Sequence, residues 1–195
     1  NKECSDFFLG NNNLDNNYTI PAGHLKQYYL LKKFLELDKP AKKENIYRIL
    51  WCTGLKKSTL TEFNIIKDAI GKCEKSLVIT VRMHPLHNIK DFIMGLFSDF
   101  DRREMIKFST NTDVIFDLNQ SDIVLSAASS GIIMESLTLG INTVSIYRSD
   151  YQTLDYQYDL VYNVRNAEEF EKALESIIGE EKAEKLRTNT SHTIV

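Results

Sequence analysis

The chain has 195 residues, of which 43% are hydrophobic and 26% charged, and its formal net charge at pH 7 is -3. Such values are typical of a globular protein, and the weak acidity argues against a nucleic-acid binder, which would carry a basic patch. No apolar run approaches the ~20 residues of a membrane span. Cys4, Cys52 and Cys73 lack the spacing of metal ligands, and their odd number fits a reducing cytoplasm.

The first 45 residues predict a segment distinct from the rest of the chain. Residues 23–39 have the spacing of an amphipathic helix, which Pro40 ends, and residues 41–45 form a charged linker. The chain opens without a methionine, so we expect a fragment of a longer protein. Residues 1–45 would be the remnant of a preceding domain, and residues 46–195 would form the main domain.

Strands alternate with helices from residue 46 onward. Strands are predicted at residues 46–52, 76–83, 105–110, 122–125 and 142–147, and helices at residues 59–73, 88–100, 112–120, 130–139 and 167–179. This alternation predicts an α/β fold, with a Rossmann-like parallel sheet and helices on both faces. Right-handed crossovers would bring the carboxyl ends of all strands to one edge, where ligands bind.

Polar clusters follow four of these strands and would meet at that edge. They are residues 53–57 (TGLKK), 82–88 (RMHPLHN), 126–130 (SAASS) and 148–150 (RSD). Their convergence predicts a binding site. Thr53 and Gly54 fit either a phosphate-facing turn or a plain turn, whereas Lys56 and Lys57 are more typical of a solvated pair.

The unit at residues 126–148 is the most informative part of the chain. Its Ser/Gly turn precedes a helix, and a helix N-terminus behind small residues binds anions through free N–H groups and the helix dipole. Ser129 and Ser130 would add hydroxyl donors, although small residues also allow close helix–strand packing. Ser126 fits either role equally, and Gly140 is placed to end the helix.

Glu135 lies more than one turn into this helix, among apolar neighbours. A carboxylate in that setting needs a partner, which could be a ligand such as a ribose diol or a bond within the protein. The aromatic run at residues 147–162 could hold a base or sugar, or pack as a loop.

A His-Pro pair follows the second predicted strand. Pro85 fixes the chain direction after His84, whose imidazole could donate to a phosphate oxygen or act as an acid. Arg82 could supply positive charge. A solitary His-Pro pair more often caps a strand by bonding a backbone carbonyl, and His87 fits a surface loop.

These residues resemble the donor-binding half of GT-B nucleotide-sugar enzymes. SSGIIMES, at residues 129–136, is similar to the SGGIQEEA signature of UDP-N-acetylglucosamine 2-epimerases. The His-Pro and Ser-Ser pairs also resemble two motifs of bacterial sialyl- and polysialyltransferases and of CDP-glycerol glycerophosphotransferases. The resemblance covers residues 18–178 and implies the C-terminal half of a GT-B fold, with residues 46–195 binding a nucleotide-sugar.

The resemblance also implies roles for the motif residues. The donor-phosphate contacts would be His84, Pro85, Ser129, Ser130 and Gly131, with Glu135 on the ribose. Thr53, Gly54, Arg82 and Ser126 would complete the nucleotide site because they belong to the polar clusters at the strand ends. His84 would be catalytic, because its imidazole would help to stabilise the departing phosphate.

Departures from the epimerase pattern favour a transferase. Met134 replaces one signature glutamate, and the loop after the first strand lacks the epimerase His and Glu. We expect a glycosyltransferase of bacterial surface polysaccharide, such as capsule or lipopolysaccharide, that uses a CMP-, CDP- or UDP-linked donor without cofactor or metal. Asp99 and Asp101 have the spacing of an acidic metal pair, but they fall at a helix end away from the predicted edge.

The resemblance implies two partners, the nucleotide-sugar and a glycan acceptor bound by a missing N-terminal domain. The weakly acidic composition predicts no nucleic-acid partner. The full-length enzyme would act in the cytoplasm, with peripheral association at the inner face of the membrane, and this fragment alone would be inactive. Two alternatives stay open. One is an epimerase-like or CDP-glycerol glycerophosphotransferase-like enzyme, and the other is a non-catalytic domain that binds a nucleotide or a partner.

Overall fold

A computed structural model of the chain describes residues 25–38, 40, 46–72, 76–98, 105–128, 130–147 and 159–179. In these ranges six strands are present: β1 Ile46–Cys52, β2 Ser76–Arg82, β3 Ile106–Phe108, β4 Ile123–Ala127, β5 Asn142–Ile146 and β6 Val161–Val164. The helices in the same ranges are α1 Leu25–Leu35, α2 Lys56–Lys72, α3 Lys90–Leu96, α4 Val114–Asn119, α5 Gly131–Thr138 and α6 Ala167–Gly179.

The strands form one sheet in the order β3-β2-β1-β4-β5-β6, and all neighbours are parallel. The chain enters at the centre, moves outward to β3, and then returns to the other side of β1. Cys52, at the end of β1, is in register with Arg82 of β2 and with Ser126 of β4. The strand order therefore reverses between β1 and β4, where a crevice is expected at the carboxyl edge.

Alternate side chains of β1 enter two different hydrophobic cores. Ile49 and Trp51 pack with α2, α3 and α6, whereas Leu50 and Cys52 pack with α1, α4 and α5. Because helices pack on both faces of the sheet, the side chains on both sides of its central strands are buried. This explains the nearly continuous apolar sequences of those strands. The predicted parallel sheet with helices on both faces is confirmed.

Several predicted boundaries are wrong by a few residues. Helix α2 begins at Lys56 rather than at residue 59, because the hydroxyls of Ser58 and Thr59 donate to the carbonyl of Leu55 and so fit within its first turn. Lys56 and Lys57 are therefore helical and not part of the loop. Helix α1 ends at Leu35, before Pro40, and α3 and α4 are also shorter than predicted.

Two corrections concern strands. β4 runs through Ala127, so Ser126 lies in the strand and not in the turn, and it pairs in register with both neighbouring strands. β6 was not predicted, because its first two residues fall within the aromatic run, which also fits a packed loop. It pairs with β5 at the sheet edge, with Val161 and Val164 buried.

Gly140 ends α5, as predicted from the sequence. Its φ of 66° is a left-handed conformation that only glycine adopts without strain. The N–H of Gly140 donates to Leu137 O at 3.0 Å, and the N–H of Ile141 donates to Ser136 O at 3.0 Å. These two bonds form a Schellman motif and turn the chain directly into β5. No helix within the described ranges is long and apolar enough to span a bilayer.

Candidate functional site

A cleft of about 510 Å³ opens at the carboxyl edge of the sheet, beside the ends of β1 and β2 and the start of α5. Its volume falls in the range of roughly 300–1,000 Å³ that is typical of small-molecule sites. The cleft brings together six residues predicted for the site: Thr53, Arg82, His84, Pro85, Ser130 and Glu135.

Thr53 joins the loop after β1 to the turn that carries His84. Its N–H donates to Arg82 O at 2.9 Å, and its buried hydroxyl oxygen accepts the backbone N–H of His84 at 3.3 Å. Gly54 follows in a tight turn, where an added Cβ would lie 2.4 Å from the Ser58 hydroxyl. These two residues therefore shape the turn, and of the two only Thr53 lines the cleft.

The imidazole of His84 has a defined hydrogen-bonding state. Nδ1 of the ring accepts the backbone N–H of Leu86 at 3.3 Å, and the backbone carbonyl of His84 accepts the N–H of His87 at 2.9 Å. A backbone N–H can only donate, so Nδ1 carries no proton in this arrangement, and the neutral ring carries its proton on Nε2. His84 therefore has an N–H donor while it lines the cleft.

The N-terminus of α5 reaches the same cleft. Ser130 is the N-cap residue, with extended φ and ψ of −75° and 136°, and its side chain makes no capping bond. The first N–H groups of a helix lack partners within it, and at α5 these include Gly131 and Ile132. A Cβ added to Gly131 would meet nothing within 4 Å, so the space beside this residue is open, although Gly131 is not among the residues that line the cleft.

Ser126 lies beneath the cleft rather than in its wall. Its hydroxyl is buried and donates to the carbonyl of Cys52 in the neighbouring strand at 3.1 Å. The hydroxyl hydrogen is thus used within the sheet, which favours the structural alternative for this residue.

Glu135 has the partner that its apolar surroundings require. Its side chain is 11% exposed and bonds the ammonium group of Lys26, which is 69% exposed and belongs to α1. Lys26 is not predictable as this partner from the sequence, because the two residues are 109 positions apart and no local pattern connects them.

Arg82 is held by a network on the cleft wall. Its guanidinium donates to Asp117 Oδ2 at 2.6 Å, to Asn111 O at 2.9 Å and to Thr112 O at 3.0 Å. Asp117 is buried and also accepts from Ser109 and from the Asn111 amide. Arg82 thus ties the end of β2 to the loop before α4, and most of its donors are used there.

Asp113 is a second carboxylate that lines the cleft, and it was not among the predicted site residues. It caps α4 by accepting the N–H of Ile115 at 3.0 Å, and it also binds Lys33 of α1. The Lys33 bond, with the Ile115 N–H, lowers the pKa of this carboxyl group below its usual value. An acidic N-cap before an apolar helix was the available signal.

Cys52 lines the floor of the cleft as a free thiol. Burial raises its pKa to about 12, so the group is neutral at physiological pH. Ser129, residues 148–150, Asp99, Asp101, Cys4 and Cys73 lie outside the described residues. Within the described ranges no group of three or more His, Cys, Asp or Glu side chains could hold a metal ion.

No protein-family model matches the sequence, and no curated protein matches it at a significant level. Solved structures, in contrast, share its fold. A glycosyltransferase from Rickettsia africae superimposes with a TM-score of 0.62 and 16% identity, over 98% of this chain and 56% of its own. A UDP-GlcNAc 2-epimerase from Methanocaldococcus jannaschii, solved with UDP-GlcNAc and UDP, superimposes with a TM-score of 0.62 and 16% identity, over 92% of this chain and 53% of its own.

A third structure defines the extent of the match. It is the C-terminal domain of a glycosyl transferase group 1 family protein from Francisella tularensis, with a TM-score of 0.50 and 14% identity, over 87% of this chain and 90% of that domain. The chain therefore has the Rossmann-like fold of GT-B glycosyltransferases and UDP-GlcNAc 2-epimerases, as the resemblance implied. It spans just over half the length of the Rickettsia and Methanocaldococcus proteins.

Proposed function

We propose that this chain is the donor-binding domain of a nucleotide-sugar-dependent glycosyltransferase. The observation that supports this most directly is that His84 and the start of α5 at Ser130 line one cleft. His84 contributes an imidazole N–H and the start of α5 contributes free backbone N–H groups. Both kinds of group can donate hydrogen bonds to phosphate oxygens. The cleft also lies where the strand order reverses, which is the usual nucleotide position in such sheets.

The proposed donor lies with its phosphates between these two features. Ser129, Ser130 and Gly131 would hold one phosphate at the N-terminus of α5, and His84 would contact it from the end of β2. Glu135, one turn further along α5, would accept hydrogen bonds from the ribose hydroxyls. Apolar side chains of the cleft would pack against the base or sugar; they are Met83, Val114 and Ile132.

The chemistry that we assign to this domain is leaving-group stabilisation. In a glycosyl transfer, an acceptor hydroxyl oxygen bonds to the anomeric carbon and gives its proton to a base, which would lie on the acceptor-binding domain. The bond between the anomeric carbon and the phosphate oxygen breaks, and negative charge builds up on the departing nucleotide. Hydrogen-bond donors that already point at that charge lower the activation barrier of the transfer, because they need not reorient during the reaction. His84 and the α5 N–H groups are the donors in question, so His84 is the proposed catalytic residue of this half.

The proposal extends to the parent enzyme. The glycan acceptor would bind on a further domain, since each of the two longer structures is nearly twice the length matched here. The donor would be a CMP-, CDP- or UDP-linked sugar, without cofactor or metal. The product would be a bacterial surface polysaccharide such as capsule or lipopolysaccharide, made in the cytoplasm at the inner face of the membrane.

Calorimetric titration of the chain with CMP, CDP and UDP tests the proposed function. We expect at least one nucleotide to bind, and Glu135→Ala to weaken it about tenfold through loss of the ribose contact. Glu175→Ala, an exposed change on α6, is the matched control and should bind like wild type. Nucleotide affinity that is unchanged in Glu135→Ala removes the ribose assignment, and no binding by wild type favours a non-catalytic domain that binds a partner.

A second test distinguishes the transferase from an epimerase. The loop after β1 covers only residues 53–55 and carries neither His nor Glu, which favours the transferase. Product analysis of the parent enzyme should show sugar transfer from its CMP-, CDP- or UDP-linked donor to an acceptor glycan, and no 2-epimer from UDP-GlcNAc. Release of a 2-epimer without acceptor would overturn this choice.

A further inference from the structure

Two lysines of α1 each hold a carboxylate that lines the cleft. Lys26 binds Glu135, and Lys33 binds Asp113. The lysines are seven residues apart, which in an α-helix places them about 20° from one another around the axis, on one face. Helix α1 is fixed in this orientation because Phe34 is buried against α4 and α5.

The charge balance of the cleft depends on these two contacts. Arg82, the arginine of the lining, is already paired with buried Asp117. Without the α1 lysines, Glu135 and Asp113 would give the cleft wall two negative charges with no ion-pair partner, and Arg82, already paired with Asp117, would act on Asp113 only through its more distant charge. A nucleoside diphosphate is itself a multiple anion, so like-charge repulsion would oppose its entry.

We propose that Lys26 and Lys33 are specificity-determining residues of the nucleotide site, which admit phosphate by cancelling the charges of Glu135 and Asp113. This inference rests on the proposed function. The lowered pKa of Asp113 fits this inference, because its largest cause is the bond to Lys33. Lys26 has the added effect of orienting Glu135 as an acceptor.

The first experiment measures affinity for the nucleotide that wild type binds most tightly and for the corresponding nucleoside. Lys26→Met and Lys33→Met should each lower the affinity for the nucleotide about three- to tenfold and leave the affinity for the nucleoside nearly unchanged. Lys32→Met is the matched control, since Lys32 is also exposed on α1 but lies about a third of a turn away from this face. Lys26→Arg should retain wild-type affinity.

The second experiment separates charge cancellation from a direct phosphate contact, with inorganic pyrophosphate as the probe. Removing both charges in Lys26→Met/Glu135→Gln should restore the pyrophosphate affinity that Lys26→Met loses. Failure of the double variant to recover, or equal affinities for Lys26→Met and Lys32→Met, overturns the inference while the proposed function stands. If wild type binds no nucleotide, the proposed function fails and the inference fails with it.

Discussion

At the scale of single residues, His84 and Cys52 show how backbone and burial set side-chain chemistry. The Leu86 N–H bond to Nδ1 fixes which nitrogen of His84 is the donor. Burial at the cleft floor keeps Cys52 protonated. Neither state is visible in the sequence, because each depends on a three-dimensional contact.

Two substitutions at position 84 test the proposed role of the imidazole. Glutamine places an amide N–H close to the position of Nε2, so His84→Gln should weaken nucleotide binding less than about threefold. Asparagine can still accept the Leu86 N–H but lacks the distal donor, so His84→Asn should weaken it about tenfold or more. Titration with nucleotide and nucleoside is the measurement, and equal losses for both ligands would indicate structural damage instead.

The Cys52 thiol predicts a stability change at alkaline pH. The unfolded thiol titrates near pH 8.5, whereas the folded thiol, with a pKa of about 12, keeps its proton. Between these values the unfolded state binds fewer protons, so stability falls as pH rises. Urea unfolding of wild type and Cys52→Ala at pH 7, 9 and 10 measures the free energy of unfolding. We expect it to fall more steeply with pH in wild type than in Cys52→Ala. Parallel pH profiles would contradict the prediction.

At the scale of elements, α5 combines an open N-terminus with a closed C-terminus. Ser130 and Ile132 at its start line the cleft, while the carbonyls of Ser136 and Leu137 near its end accept the N–H groups of the turn at Gly140. The small residues before the helix and the glycine after it were readable in the sequence, and the turn into β5 is confirmed. Placement of Ser126 in the turn was wrong, because strand pairing with β1 and β5 extends β4.

Gly140→Ala tests the C-terminal turn of α5. A side chain in the left-handed region costs about 1–2 kcal/mol, so we expect the free energy of unfolding to fall by that amount. Gly95→Ala is the control, since a Cβ there meets nothing within 4 Å, and it should raise stability by about 0.5–1 kcal/mol. Chemical denaturation measures both, and equal stability of Gly140→Ala and wild type would show that the turn tolerates a side chain.

At the scale of the whole molecule, strand order decides where the site forms. Residues 53, 84 and 130 come from three separate strand ends, and they line one cleft because β1 lies between β2 and β4. The same topology brings α1 over the face that carries α4 and α5. Ligand binding should therefore stabilise the whole sheet rather than one loop.

Unfolding in the presence of nucleotide tests this global coupling. A ligand that binds only the folded state at 100 times its dissociation constant adds about 2.7 kcal/mol to the free energy of unfolding. We expect this increase for wild type and a smaller one for Glu135→Ala at the same nucleotide concentration. Urea denaturation followed by tryptophan fluorescence measures it, since Trp51 is buried in the central strand. Equal increases for both proteins would argue that Glu135 makes no contact with the ligand.

The sequence by itself determined the α/β class, the parallel sheet with two covered faces, most helices and strands, and several residues that line the cleft. These properties follow from local periodicity, from turn residues such as Gly140 and from the rule that parallel strands end at one edge. The tertiary structure decided the strand order, the edge strand β6, and the partners Lys26, Lys33 and Asp117. Contacts between residues far apart in the chain leave no periodic signal, because they depend on packing between elements and not on the spacing within one element.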